Sequence, residues 1–318
     1  IRTTDNQIYV GTYNGLCRYI EESGKFENIP LPVNRSVSNL FVNSLLEDTS
    51  RQCIWIGMEG SLFQYTPATG LMKPIDAFHN NSIKSLALDG DGNLLAGTDN
   101  GLYVYQNDNG TLQHIVHDSR NIQSLTNNII WNIFSDQEHN IWLGTDYGIS
   151  LSRYNSALQF VPISQITGTG DGNQFYSLFR DSKGFYWFGG TNGVIRFTHP
   201  AGNKHDAIWY RMGDKNYPLS HNRIRHIYED REQQLWIATD GSINRYDYNT
   251  HQFVHYNIVD STGTYNTNWA YYLFEDTDGK LWIATCLGGI FVVDKQKLVQ
   301  SSGGTYIAEQ NYSTRNGM

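Results

Sequence analysis

Aromatic rings, amides and cationic side chains occur at two positions counted back from a repeated aspartate. The aspartate ends an apolar segment in six places: Asp48, Asp89, Asp136, Asp181, Asp230 and Asp276. Position −5, five residues before it, holds Asn43, Lys84, Trp131, Tyr176, Arg225 and Tyr271. Position −7 holds Phe41, Ser82, Ile129, Gln174, Arg223 and Trp269. Flat rings stack on the C–H faces of sugar rings and polar groups bond hydroxyls, so these side chains suit a saccharide.

Nine of the residues at these positions and in nearby turns are predicted to bind a ligand: Trp131, Tyr176, Gln174, Arg223, Arg225, Trp269, Tyr271, Tyr147 and Asp146. Trp131 and Trp269 are the strongest candidates, because both lie outside the tryptophan position that repeats along the chain. Two arginines on one strand face favour an anionic sugar, such as a uronic acid. The alternative is that the aromatic rings only fill a channel.

The sequence lacks the common signatures of catalytic and metal sites. It has no nucleophile elbow, no His-Glu-x-x-His, no P-loop and no paired-cysteine motif. Cys17, Cys53 and Cys286 form neither a disulfide framework nor a metal-ligand pattern. We therefore predict no catalytic residue, no metal and no cofactor. A glycoside hydrolase or lyase is the enzymatic alternative, in which Asp99, Asp146 and Asp240 would converge as paired carboxylates.

A second repeated phrase fixes the elements that must position these side chains. It resembles Trp-Ile-Gly-Thr and occurs seven times, with its small residue at Gly11, Gly57, Gly97, Gly144, Gly189, Ala238 and Ala284. The intervals are 40 to 49 residues, each long enough for four short strands. Such a period is typical of a β-propeller. The sequence predicts an all-β, seven-bladed propeller with four antiparallel strands per blade, as a single domain over residues 1–318.

Within this repeat, large rings and small residues have a structural interpretation. Trp55, Trp142, Trp187, Trp236 and Trp282 are predicted to fill the gaps between neighbouring blades. The glycine or alanine two residues later fits a place where a neighbouring chain approaches closely. Antiparallel strands return the chain to one end of the blade, so the turns after each Gly-Thr lie beside the start of the first strand.

Charge and chain ends limit the classes of function. The net charge is −8 and the isoelectric point about 5.6, which argues against binding to nucleic acid or anionic membrane. No apolar run approaches the roughly 18–20 residues of a membrane span. The chain begins and ends inside repeats, and repeat 1 has only residues 1–4 before its turn. We expect a fragment of a longer protein.

The repeat resembles the two-component-regulator propeller repeat, found in the sensor region of hybrid two-component systems of gut Bacteroidetes. The resemblance is carried by the Trp-Ile-Gly-Thr strand, the Asp/Asn-Gly turn and the Leu-Tyr-x-Tyr strand, and by the lead-in Ser124-Leu125-Thr126-Asn127-Asn128. It covers essentially the whole chain. Tyr9 and Leu95 replace the tryptophan, and Ala238 and Ala284 replace the glycine.

The resemblance implies the periplasmic sensor region of an inner-membrane histidine kinase. Such a region detects oligosaccharides and regulates glycan-utilisation genes, is not catalytic itself and makes no direct nucleic-acid contact. Its implied partners are an adjacent propeller and a β-sandwich domain of the parent chain, and a second copy in a homodimer. Alone, we expect it to be a monomer or a weak dimer. A protein-interaction propeller is the other alternative, although in-register Gly-His and Trp-Asp dipeptides are missing.

Overall fold

The computed structural model describes residues 1–32, 40–78, 81–106, 109–164, 172–198, 206–216 and 218–313. Strands in these ranges form seven sheets, and the predicted all-β, seven-bladed propeller class is confirmed. Helices are short, such as the 3-10 turn Asp76–Phe78 and helix α1 at Lys295–Gln300. Among the described residues, no helix has the length and apolar character to span a membrane. Two compact units are present: unit 1 over residues 1–164 and 172, and unit 2 over residues 173–313.

Unit 1 contains blades 1 to 4. Blade 1 comprises β1 (Tyr9–Thr12), β2 (Gly15–Ile20) and β3 (Lys25–Ile29). Blade 2 comprises β4 (Val42–Asp48), β5 (Cys53–Met58), β6 (Ser61–Thr66) and β7 (Leu71–Pro74). Blade 3 comprises β8 (Ile83–Leu88), β9 (Leu94–Thr98), β10 (Gly101–Tyr105) and β11 (Leu112–Ile115). Blade 4 comprises β12 (Ile130–Ser135), β13 (Ile141–Thr145), β14 (Gly148–Ser152) and β15 (Phe160–Pro162). All pairings in these four blades are antiparallel.

Unit 2 contains blades 5 to 7. Blade 5 comprises β16 (Phe175–Arg180), β17 (Tyr186–Gly190), β18 (Gly193–Phe197) and β19 (Ile208–Tyr210). Blade 6 comprises β20 (Ile224–Glu229), β21 (Leu235–Thr239), β22 (Ser242–Asp247) and β23 (Gln252–Val259). Blade 7 comprises β24 (Ala270–Glu275), β25 (Lys280–Thr285), β26 (Ile290–Asp294) and β28 (Gln310–Tyr312). Strand β27 (Gly304–Ile307) joins blade 6 as a fifth, parallel strand before the chain completes blade 7.

Each repeated tryptophan is bonded to the repeated aspartate of its own blade. The indole N–H of Trp142 donates to Asp136 Oδ2 at 2.8 Å, and the same pair recurs in blades 2, 5, 6 and 7. The other carboxylate oxygen accepts backbone N–H groups of the turn, as from Glu138 and Asn140. The aspartate therefore holds both the turn and the ring. In blade 1, where Tyr9 replaces the tryptophan, Thr3 takes the turn-holding place and accepts the N–H of Gln7.

A β-bulge interrupts the first strand of blades 2 to 7 at the same position. The pairing skips one residue between Ile224 and His226, and the same shift occurs in β4, β8, β12, β16 and β24. The skipped residue is the one at position −5 in every case. A bulge re-aims the side chain of the extra residue. In a regular strand, the side chains at positions −5 and −3 would point to the same face. The bulge turns the side chain at position −5 away from the leucine or isoleucine at position −3.

Neighbouring blades within each unit are joined by a repeated hydrogen bond. The side chain at position −4 accepts the backbone N–H at position −3 of the next blade, as Ser177 does from Ile227 at 3.0 Å. Ser44, Ser85 and His226 do the same. The small residue of the repeated phrase meets the residue at position −6 of the next blade. A Cβ on Gly189 would lie 2.4 Å from Cγ2 of Ile224, so no side chain fits there.

Candidate functional site

Five of the predicted residues form a cluster in unit 2 around Arg225. The guanidinium carbon of Arg225 lies 4.5 Å from the ring centre of Tyr271 and 5.5 Å from that of Tyr176. Its Nε donates to Asp240 Oδ1 at 2.7 Å, and its Nη2 donates to Oδ2 at 3.2 Å. Arg223 lies 3.8 Å from the same carboxylate. Tyr176, Arg225 and Tyr271 are the residues at the bulges of three consecutive blades. The cation of Arg225 packs near the rings of the other two.

The charge of Arg225 is largely balanced by Asp240. The Arg225 side chain is 17% exposed and that of Asp240 is 9% exposed, and the two groups form a bidentate pair. Gln174 completes the edge of this cluster by accepting the hydroxyl of Tyr176 at 2.5 Å. Arg223 is more exposed, at 45%, and is the guanidinium of this cluster that solvent reaches more easily.

Trp269 differs from the other aromatic candidates in backbone and in exposure. Its φ is 55°, a left-handed value that is an outlier for a bulky residue. Its N–H donates to Asp240 O at 3.1 Å, and its carbonyl accepts the N–H of Cys286 at 3.0 Å. The side chain is 47% exposed, and no described cation or ring packs on it. Two main-chain bonds thus hold a large flat ring toward solvent, an arrangement found at ligand sites.

The remaining candidates form a separate cluster in unit 1. The indole N–H of Trp131 donates to Asp146 Oδ1 at 3.0 Å. The ammonium of Lys84, from the preceding blade, lies 4.6 Å from the Trp131 ring centre. Tyr147 follows Asp146 in the turn and is 56% exposed. As with Asp240 and Arg225 in blade 6, a turn carboxylate bonds the residue at position −5 of its own blade, so in these two blades the turn lies beside that position.

The structure therefore divides the aromatic candidates into two groups. Trp131, Tyr176 and Tyr271 each carry a cation of the protein near one face, and of these three rings Tyr271 is also 41% exposed. Trp269 and Tyr147 present open rings. Sequence reasoning left Lys84 and Asp240 out of the predicted set. The place of Asp240 after Ala-Thr, matching that of Asp146 after Gly-Thr, was the signal that could have included it.

The carboxylates suggested for an enzymatic alternative are engaged in other bonds. Asp146 accepts from Trp131, Asp240 is paired with Arg225, and Asp99 accepts the N–H of Ser82 at 3.3 Å. Among the residues that the structure describes, no group of three His, Cys, Asp or Glu side chains could hold a metal ion. Cys17 and Cys53 are buried free thiols, and Cys286 is partly exposed. The arrangement is suited to holding a polar, ring-containing ligand.

Comparison with known proteins gives the family of the repeats. The model of the two-component regulator propeller matches residues 124–147, 169–192, 218–241 and 264–286. Two solved structures are 83% and 84% identical over the whole chain, each with a TM-score of 0.48. Both are described as extracellular domains from B. thetaiotaomicron, of a one-component system in one case and a hybrid two-component system in the other. This chain spans 43% of the length of each.

More distant structures share the fold alone. Virginiamycin B lyase from Staphylococcus aureus is 14% identical, with a TM-score of 0.64 over 90% of each chain. The GH74 xyloglucanase from Xanthomonas campestris is 15% identical, with a TM-score of 0.70 over 95% of this chain and 52% of its own. No curated protein matches this chain significantly. The four matched segments show that this chain carries propeller repeats of the two-component regulator family.

Proposed function

We propose that this chain is the periplasmic, ligand-sensing propeller of a hybrid two-component sensor held in the inner membrane. The observation that supports this most is the 84% identity, over all of this chain, to a structure described as the extracellular domain of a hybrid two-component system. The relatives are more than twice as long, so the partners are proposed to include a second propeller and a β-sandwich of the parent chain. The kinase, the homodimer and all contact with nucleic acid belong to the intact sensor.

The proposed ligand is an oligosaccharide whose binding regulates genes for glycan use. Its support in the structure is Trp269, an exposed ring held by two main-chain bonds, one of them to Asp240, whose carboxylate lies 3.8 Å from Arg223. Aromatic stacking and hydroxyl bonding are the interactions that a saccharide requires. Arg223 would bond hydroxyls, or a carboxylate if the sugar is acidic. The bonded state of Asp99, Asp146 and Asp240 favours binding over hydrolysis.

Calorimetry with the intact extracellular region tests this proposal. The probes are cellohexaose, xylohexaose, mannohexaose and hexagalacturonate, titrated into the wild type and into Trp269→Ala. We expect at least one probe to bind the wild type without being cleaved, and Trp269→Ala to lose that binding. Tyr154→Ala is the matched control, since Tyr154 is also exposed but bonds Asp91 in a turn. Full affinity in Trp269→Ala, or cleavage of the probe, would contradict the proposal.

A further inference from the structure

Tyr13 in unit 1 is an exposed tyrosine at a turn position where other blades have no aromatic residue. Tyr13 follows Gly11-Thr12 in the turn of blade 1, at the place that Asp99, Asp146 and Asp240 occupy in other blades. The turn is held by its neighbour: the Thr12 hydroxyl donates to Gly15 O and accepts the N–H of Asn14, both at 3.0 Å. Tyr13 is 60% exposed. Its ring therefore contributes little to the blade's core.

The Tyr13 ring is nevertheless held in place. Phe41, at position −7 of blade 2, meets it edge to face, with ring centres 4.8 Å apart and planes at 74°. The main chain ties both rings down, because Asn14 pairs with Leu40 in a parallel bridge and the Phe41 carbonyl accepts the N–H of Glu59 at 3.2 Å. A rigid, exposed ring loses little entropy when a ligand stacks on it.

A carboxylate is supplied by Glu59, the residue whose N–H bonds the Phe41 carbonyl. Glu59 follows the repeated phrase of blade 2 and is exposed. Its Oε2 accepts the hydroxyl of the buried Ser82 at 3.0 Å, which fixes one oxygen and leaves the other able to accept further bonds. A saccharide that stacks on an aromatic ring also needs polar groups to bond its hydroxyls, and a carboxylate oxygen can accept such bonds.

We propose that Tyr13, Phe41 and Glu59 form a second saccharide-binding platform, in addition to the predicted residues. A pyranose ring stacks on Tyr13 and donates hydroxyl hydrogens to Glu59. This inference rests on the proposed function, since it assigns further contacts to the same class of ligand.

The test uses calorimetry on the intact extracellular region with the four hexasaccharides named above. We expect Tyr13→Ala to weaken the binding of the recognised hexasaccharide roughly three- to tenfold, the usual range for one aromatic contact. Tyr13→Phe keeps the ring and should bind like the wild type. Glu59→Gln should weaken binding severalfold without loss of the ring. Tyr154→Ala again serves as the control.

The outcomes separate this inference from the proposed function. If Trp269→Ala loses binding while Tyr13→Ala and Glu59→Gln bind like the wild type, the second platform is wrong and the proposed function stands. If Tyr13→Ala is weakened only as much as Tyr154→Ala, the effect is not specific and the platform is also wrong. If no hexasaccharide binds the wild type, both proposals fail.

Discussion

At the scale of single residues, the repeated aspartate and tryptophan are one structural device. Trp142 is fully buried, and its indole N–H donates to a carboxylate that also holds the turn. The sequence predicts a packing role for the ring, and its burial agrees with that role. The hydrogen bond was not predicted. The aspartate and the tryptophan recur at a nearly constant spacing in the sequence, and that spacing alone does not show that their side chains are in contact.

We predict that Trp142→Phe destabilises the fold by about 2–4 kcal/mol, from the lost contact area and a lost bond to a charged acceptor. Thermal unfolding followed by circular dichroism measures this. Ile122→Ala is the control, because Ile122 is 73% exposed. A Trp142→Phe midpoint equal to that of the control would show that the bond and the ring contribute little.

Also at the scale of single residues, His226 is expected to make the stability of the fold depend on pH. Burial lowers the pKa of His226 to about 3 from the ordinary value of 6.5. The unfolded chain therefore takes up a proton at His226 before the folded chain does, and stability falls as the pH drops from about 6.5 toward 3.

We expect His226→Ser to reduce this loss. Serine stands at the same position in three other blades and accepts the equivalent inter-blade N–H. The measurement is the unfolding midpoint of both proteins from pH 7 to pH 4. Parallel curves for the two proteins would rule out His226 as the group that titrates.

At the scale of elements, the fit between neighbouring blades depends on a pair of positions. Gly189 faces Ile224 of the next blade, whereas Ala238 shares a buried cluster with Ala270 of its next blade. A larger residue on one side thus goes with a smaller one on the other. The substitution of alanine for glycine in repeats 6 and 7 was visible in the sequence. For repeat 6, the compensating residue is Ala270. It could be identified only from the structure, where the bulge determines which residue of the next blade lies against Ala238.

We predict that Gly189→Ala costs about 1–3 kcal/mol, because its Cβ would overlap Ile224. Ile224→Ala should cost about 2–5 kcal/mol through the cavity it leaves. The double variant should be less destabilised than the sum of the two, because Ala-Ala is the pair that blades 6 and 7 use. Chemical denaturation of all four proteins measures this coupling. Simple additivity would show that the two positions do not share one space.

The bulge explains what a single sequence could and could not predict. Seven repeats of 40–49 residues are enough for the propeller class, because that spacing is a property of the chain alone. Position −5 was correctly associated with the turns after Gly-Thr. Its partners were not predicted, because the contacts of Arg225 with Tyr176 and Tyr271 depend on how three bulged strands lie together. The pairing of Arg225 with Asp240 also weakens the sequence-based argument for an anionic sugar.

At the scale of the whole molecule, the net charge and the rest of the parent chain bear on which partners this propeller binds. The net charge of −8 argues against binding to nucleic acid. Under the proposed function, the intact sensor is a homodimer whose contacts are spread over several domains, most of them outside residues 1–318. We predict that residues 1–318 alone are a monomer, or a weak dimer, in light scattering after gel filtration. A stable dimer at micromolar concentration would contradict this.

We propose that this propeller senses a saccharide through the ring of Trp269. The direct measurement is the response of the intact sensor in cells to the oligosaccharide that binds it in calorimetry, read as expression of the genes that the sensor controls. We predict that Trp269→Ala abolishes the response while Tyr154→Ala, made at equal protein level, keeps it. A full response from Trp269→Ala would contradict the claim and place the sensing site elsewhere in the parent protein.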